Sequence, residues 1–112
     1  MKVNITEYGE NRKIEVEIHD FDTWNADATL AHIIHPLLLK FAEPLQSYPN
    51  DFDNVNEWGE VVQKMIWSFG QIVNDEADEP DITKDKAAYM AYHDRIQEGL
   101  NLFGQYYRNL WN

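Results

Sequence analysis

Histidine is the side chain best suited to metal coordination or proton transfer near neutral pH, and the chain has four histidines. His32 and His35 are three residues apart in a stretch of helical periodicity, so both could reach one metal ion. No carboxylate stands at a fixed spacing from them, and we predict no metal site. His93 lies among apolar residues at helical spacing. This position favours a hydrogen-bonded core histidine, and the alternative is that His93 contacts a ligand.

Two pairs of carboxylates suggest an enzyme. Glu57 and Glu60 precede a predicted helix interior, and Glu76 and Glu79 lie in a later acidic segment. Carboxylate pairs one helical turn apart on two facing helices can hold Mg²⁺ for pyrophosphate cleavage, as all-α nucleotide pyrophosphatases do. However, the second pair falls in a loop that ends in proline, and Asn56 stands where that family supplies a further glutamate. With no phosphate-binding glycine loop and no evident nucleophile, we expect binding without turnover and no cofactor.

Aromatic side chains with a polar tip suit a core edge, an oligomer interface or a stacking site for a ligand. Near the C-terminus, Phe103 and Tyr107 continue an apolar stripe and are predicted to be core residues. Tyr106 lies about 100° further round the helix, on the side of Arg95, and is predicted to line a pocket. The predicted ligand-binding residues are Trp24, Asp27, Lys64, Trp67, His93, Arg95, Tyr106 and Trp111. The rings would stack on the ligand, and Arg95 or Lys64 would meet its charge.

The composition restricts the partners. With 9 basic and 20 acidic residues the net charge is −11, which excludes nucleic acid because phosphate binding needs clustered Lys and Arg. Five acids in the seven residues from Asp75 to Asp81 predict a solvated loop or a partner-facing acidic surface. Cysteine is absent, and neither a signal segment nor an apolar run of membrane-spanning length is present. These features predict a soluble cytosolic protein without a membrane partner.

The N-terminal residues alternate between apolar and polar. Val3 and Ile5, then Ile14, Val16 and Ile18, flank a turn that contains glycine, and this pattern predicts a β-hairpin over residues 2–18. An isolated hairpin is marginal in water and its edges invite pairing. We therefore expect helices, or a second copy of the chain in a homo-oligomer, to cover it.

Three helices are predicted after the hairpin. The first begins after an N-cap at Asn25 and is expected to kink or break near His32–His35, because Pro36 removes a helix hydrogen bond. The second runs from about Val55 to Val73, with apolar residues at three- and four-residue steps. The third follows a cap at Asp81 or Thr83. The sequence thus predicts one α+β domain, 1–112.

Three stretches carry a resemblance to known proteins. They are DTWNADATLAHIIHPLL (Asp22–Leu38), EWGEVVQKMIWSFGQ (Glu57–Gln71) and HDRIQEGLNLFGQYYRNLW (His93–Trp111). Together they resemble a family of small proteins encoded by tailed bacteriophages, and the likeness covers about half the residues in order. The segment between the second and third stretches is shorter than in that family, and His35 stands where an aliphatic residue is usual.

The resemblance implies a phage protein made in the cytoplasm of a bacterial host. Small phage proteins with an aromatic-lined pocket and no catalytic motif look like those that sequester host nucleotide signals, so the leading hypothesis is counter-defence by capture of a small nucleotide-like ligand. One alternative is an acidic interaction protein that blocks a basic surface of a host protein. A further alternative is a Mg²⁺-dependent nucleotide pyrophosphatase-like enzyme.

Overall fold

The computed structural model describes residues 1–112 and has an α+β arrangement, as the sequence predicts. Strands β1 (Lys2–Ile5) and β2 (Ile14–Glu17) form an antiparallel hairpin. A short 3₁₀ turn at Asp20–Thr23 leads into three helices, and a second 3₁₀ turn at Tyr107–Asn109 follows the last. The helices are α1 (Ala26–Ala42), α2 (Val55–Val73) and α3 (Lys86–Tyr106).

The hairpin, hereafter the ribbon (residues 1–18), stands apart from the helices. Its register pairs Val3 with Val16 and Ile5 with Ile14, so the four apolar side chains share one face. All eight strand residues are exposed, and neither strand contacts a helix. The radius of gyration is 16.5 Å, against about 13 Å expected for a compact domain of this length. The ribbon therefore projects from the body.

Asp22 fixes the base of the ribbon to the turn before α1. Its carboxylate accepts a hydrogen bond from the His19 amide at 2.8 Å and pairs with the Met1 ammonium at 3.0 Å. Both interactions favour the ionised carboxylate and lower the pKa of Asp22. The hydrogen bond from the His19 amide is the largest cause. One carboxylate therefore ties both ends of the ribbon to the turn before α1.

Helix α1 begins after Asn25 as predicted, although the Asn25 side chain makes no capping hydrogen bond. Of the predicted kink or break near His32–His35, the break is wrong, because α1 continues through Pro36 from Ala26 to Ala42. Pro36 is exposed, while Ala31 and Leu38 are buried against the rest of the protein. Proline removes its own amide donor, and burial of the residues on both sides of it holds the helix together across that gap.

Helix α2 is the central element and has the predicted bounds. Asn54 caps it by accepting a hydrogen bond from the Glu57 amide at 3.0 Å. The apolar side of α2 supplies the innermost side chains of the core, with Trp58, Val62 and Met65 at most 1% exposed. Helices α1 and α3 both pack on α2. A groove between α1 and α3 remains open.

Helix α3 starts later than predicted. Asp85 is its N-cap and accepts a hydrogen bond from the Ala88 amide at 2.9 Å. Asp81, one of the two expected caps, instead accepts hydrogen bonds from the hydroxyl and the amide of Thr83, and these bonds lower the pKa of Asp81. Because the side chain of Asp81 is engaged in this local turn, the chain enters the helix only at Lys86.

At the C-terminal end of α3 the prediction is wrong for the two tyrosines, although Phe103 packs against the core as predicted. Tyr106 is buried, at 8% exposure, whereas Tyr107 is 62% exposed. Phe103 is partly buried, with its ring 4.9 Å from that of Phe69.

None of the three helices is both long enough and apolar enough to cross a bilayer.

Candidate ligand-binding site

A close approach of α2 and α3 positions the largest group of predicted site residues. Gly99 makes the approach possible, because a Cβ at this position would overlap the Ser68 side chain and the Lys64 carbonyl oxygen. The Ser68 hydroxyl donates a hydrogen bond to the Arg95 carbonyl oxygen at 3.3 Å. We call this contact the α2–α3 seam. It is formed by Lys64, Trp67 and Ser68 of α2 and by Arg95, Glu98 and Gly99 of α3.

Three of the eight predicted residues lie along the seam: Trp67 and Arg95 contact each other, and Lys64 lies beside Gly99. His93 lies apart from them, against Glu79. The guanidinium carbon of Arg95 lies 3.7 Å from the centroid of the Trp67 ring, a cation–π arrangement. The rings of Trp67 and Tyr92 are also in contact, with an interplanar angle of 73° and centroids 5.6 Å apart. Lys64 forms an ion pair with Glu98 at 3.0 Å. Arg95, in contrast, forms no ion pair and is exposed.

The end of α2 brings the acidic segment against α3. After Val73 the chain turns through Asp75 and Glu76, both with φ of +54°, a left-handed conformation that few residues other than glycine adopt. The Glu76 amide donates a hydrogen bond to the Gln71 carbonyl oxygen. The chain is thereby reversed, so the acidic segment runs beside the first half of α3.

A polar network joins this segment to the seam. The Tyr92 hydroxyl donates a hydrogen bond to Gln71 Oε1 at 2.8 Å, and Gln71 Nε2 donates one to Asp78 Oδ2 at 3.0 Å. Burial, and then the negative charges of Glu76, Glu79 and Asp78, raise the pKa of Tyr92. The Tyr92 hydroxyl therefore remains a donor across the neutral range, and it holds Gln71 in the orientation that anchors the loop.

Glu76, Glu79 and His93 form a cluster that the sequence did not reveal. One potential ligand atom from each lies within 4.8 Å of the others, and His93 Nε2 is 2.8 Å from Glu79 Oε2. The prediction of a core position for His93 is wrong, because its side chain is 36% exposed. Imidazole and carboxylate donors at this spacing suit a divalent cation. The left-handed residues that create the cluster have no signature in the sequence.

The four carboxylates considered for a pyrophosphatase-like site do not converge. Glu57 lies in the first turn of α2, where its side chain accepts a hydrogen bond from the Asp53 amide at 3.1 Å. Glu76 and Glu79 follow the other end of the same helix. A helix rises 1.5 Å per residue, so about 20 Å of α2 separates the two pairs.

The remaining predicted residues lie away from the seam. Trp24 and Asp27 are exposed at the start of α1, with Trp24 80% exposed. Trp111 is 67% exposed in the C-terminal segment. Tyr106, expected at the surface, is packed between Phe52 and Trp58 with its hydroxyl donating to Asp51 at 3.2 Å. Of the eight predicted residues, the structure thus brings Trp67 and Arg95 into direct contact.

Comparison with protein-family models, with curated proteins and with solved structures finds no match.

Proposed function

We propose that the protein binds a small anionic ligand with an aromatic ring, such as a nucleotide, at the α2–α3 seam without chemical turnover. The observation that carries the proposal is the exposed guanidinium of Arg95, stacked on Trp67 at 3.7 Å and free of any carboxylate partner. In a chain with a net charge of −11, an anion needs a local cation to offset the general field.

The surroundings of Arg95 supply both halves of such a site. A planar guanidinium can hold a phosphate through two parallel hydrogen bonds. If Arg95 turns toward a phosphate, the face of Trp67 becomes available for stacking by a base. The nearby cluster of Glu76, Glu79 and His93 offers donors for a divalent cation, and such a cation could accompany the phosphate into the acidic surroundings.

The resemblance to tailed-bacteriophage proteins supports a biological role for this binding. A small phage protein that captures a nucleotide signal in the cytoplasm of its bacterial host would deprive a host defence of that signal. The proposed function is therefore counter-defence by sequestration, in which Arg95 and Trp67 are the central binding residues.

The test is calorimetric titration of the purified protein with cyclic nucleotides and ADP-ribose derivatives, with and without Mg²⁺. Arg95→Met removes the charge but keeps an unbranched side chain over Trp67, so it should abolish binding without unfolding the protein. Arg12→Met is the matched control, because Arg12 forms the other cation–π pair of the protein, 4.9 Å from the Tyr8 ring centroid in the ribbon. Absence of heat with every ligand in the panel would contradict the proposal.

The acidic interaction hypothesis has less structural support. Asp51 and Asp53 precede α2, whereas the segment from Asp75 to Asp81 follows its other end, so the two acidic groups do not adjoin along the chain path. Several of these carboxylates also have partners within the protein: Asp51 accepts from Tyr106, Asp78 from Gln71 and Asp81 from Thr83. A pull-down from host lysate at low and high salt tests this alternative, since exposed charge contacts weaken as salt screens them.

A further inference from the structure

The ribbon has one apolar face that nothing in the chain covers. The Val3–Val16 and Ile5–Ile14 pairs lie on this face, and Ile18 continues the alternation of β2. These five side chains are between 43% and 63% exposed. The opposite face carries the Lys2–Glu17 and Asn4–Glu15 pairs. The stability of an isolated two-stranded hairpin in water is marginal. The exposed apolar face of the ribbon therefore indicates that a further contact covers it.

The helical body has a second uncovered apolar surface in the groove between α1 and α3. The groove encloses about 570 Å³, and all eight of its lining residues are apolar. Leu37 and Tyr107 are 64% and 62% exposed there. Its lining on α1 extends from Leu30 to Phe41, a distance of about 16 Å along a helix. The four-residue strands of the ribbon are about 13 Å long, so the two surfaces match in length.

We infer that the protein forms a two-fold dimer in which the ribbon of each chain occupies the α1–α3 groove of the other. The ribbon does not occupy the groove of its own chain, because neither strand contacts a helix and Asp22 ties both ends of the ribbon to the turn before α1. In a second copy, each chain offers one ribbon and one groove. When each ribbon occupies the groove of the other chain, both surfaces of both chains are used, and the contact closes after two chains as an isologous interface.

The charges of the chain are compatible with this exchange. Residues 2–18 contain three basic residues and four acidic residues, and the Met1 ammonium brings this segment to neutrality. The residues from Asp20 onward carry the remaining six basic and 16 acidic residues. Docking a neutral ribbon on an acidic body adds no net repulsion at the contact, whereas two helical bodies placed face to face would repel.

The number of residues involved is adequate for a stable pair. Each chain contributes five apolar residues from the ribbon and eight from the groove. A standard protein–protein interface has about 20–30 residues on each side with an apolar centre and a polar rim. The two patches therefore supply an apolar centre of suitable size, and the charged outer face of the ribbon forms part of the rim.

The first test is the mass of the full-length protein in solution at tens of micromolar, by sedimentation or light scattering. We expect a dimer, and monomers for Ile14→Lys on the ribbon and for Leu37→Lys in the groove. Both substitutions fall on exposed side chains, so the circular dichroism of the helices should stay unchanged. Glu15→Lys, on the outer face of the ribbon, is the matched control and should remain dimeric. A monomeric wild-type protein overturns the inference.

A cross-linking test distinguishes ribbon-in-groove exchange from other dimers. The natural chain has no cysteine, so Ile14→Cys and Leu37→Cys chains each carry a single thiol. When the two variants are mixed and oxidised, we expect a disulfide between a ribbon thiol of one chain and a groove thiol of the other to predominate. Predominance of disulfides between two identical chains would show ribbon-to-ribbon or groove-to-groove contact instead, and would overturn the inference.

Discussion

Two adjacent tyrosines near the end of α3 have opposite roles. Tyr106 packs its ring against Phe52 and Trp58 and donates its hydroxyl hydrogen bond to Asp51. Tyr107 is mostly exposed at the α1–α3 groove. Burial, and secondarily the hydrogen bond to Asp51, raise the pKa of Tyr106, as expected for a ring that belongs to the core.

Substitution of these tyrosines should therefore have unequal effects. Tyr106→Ala removes a buried aromatic ring and leaves a cavity, and we expect it to lower the melting temperature by more than about 10 °C. Tyr107→Ala is the control, and with both substitutions made in the Leu37→Lys background it should change the melting temperature by only a few degrees. Thermal denaturation followed by circular dichroism measures both. Equal losses would show that Tyr107 is a core residue, as the periodicity alone suggests.

Among the helices, the contact between α2 and α3 depends on Gly99. An added methyl group at this position would meet the Ser68 side chain and the backbone carbonyl of Lys64, and backbone cannot yield as a flexible side chain can. Gly104, in the same helix, has open space around its Cβ position. Glycine is therefore required for packing at position 99, whereas at position 104 it only lowers the stability of the helix.

We expect Gly99→Ala to destabilise the protein by about 2–3 kcal/mol or more, because overpacking a close helix contact forces the helices apart. Gly104→Ala should be neutral or stabilising by up to about 1 kcal/mol, because alanine favours the helix more than glycine does. Urea denaturation of both variants measures the difference. Because the seam positions Arg95 and Trp67, Gly99→Ala should also weaken any ligand binding there. Similar stability of the two variants would contradict the close approach.

The molecule as a whole carries a net charge of −11 and buries only 14 of its 112 residues. Repulsion among the acidic side chains therefore destabilises the folded state, and the small core contributes little stability to offset it. We expect the melting temperature to rise by several degrees as NaCl increases from about 0.02 M to about 0.5 M, since salt screens these charges. The sequence pI is about 4.5, and near this pH the effect should disappear. A melting temperature independent of salt at neutral pH would count against repulsion as a determinant of stability.

Local patterns determined much of this protein in advance. Alternation of apolar residues predicted the hairpin, and the three- and four-residue steps predicted α2 from Val55 to Val73. Both patterns arise from neighbouring residues, because strand pleat and helical turn repeat within a few positions. The acidic composition and the absence of an apolar run of membrane-spanning length are likewise evident from the sequence alone.

Only the tertiary structure decided which side of α3 is buried. This helix is apolar on more than one side, since Tyr106 is buried in the core, Tyr107 is exposed at the groove, and Phe103 contacts both. Periodicity cannot choose between such sides, because the burial of Tyr106 depends on Phe52 and Trp58, which are distant in sequence. In the same way, His93 meets Glu76 and Glu79 through the left-handed end of α2. Contacts between residues distant in sequence set these positions, and no local pattern encodes them.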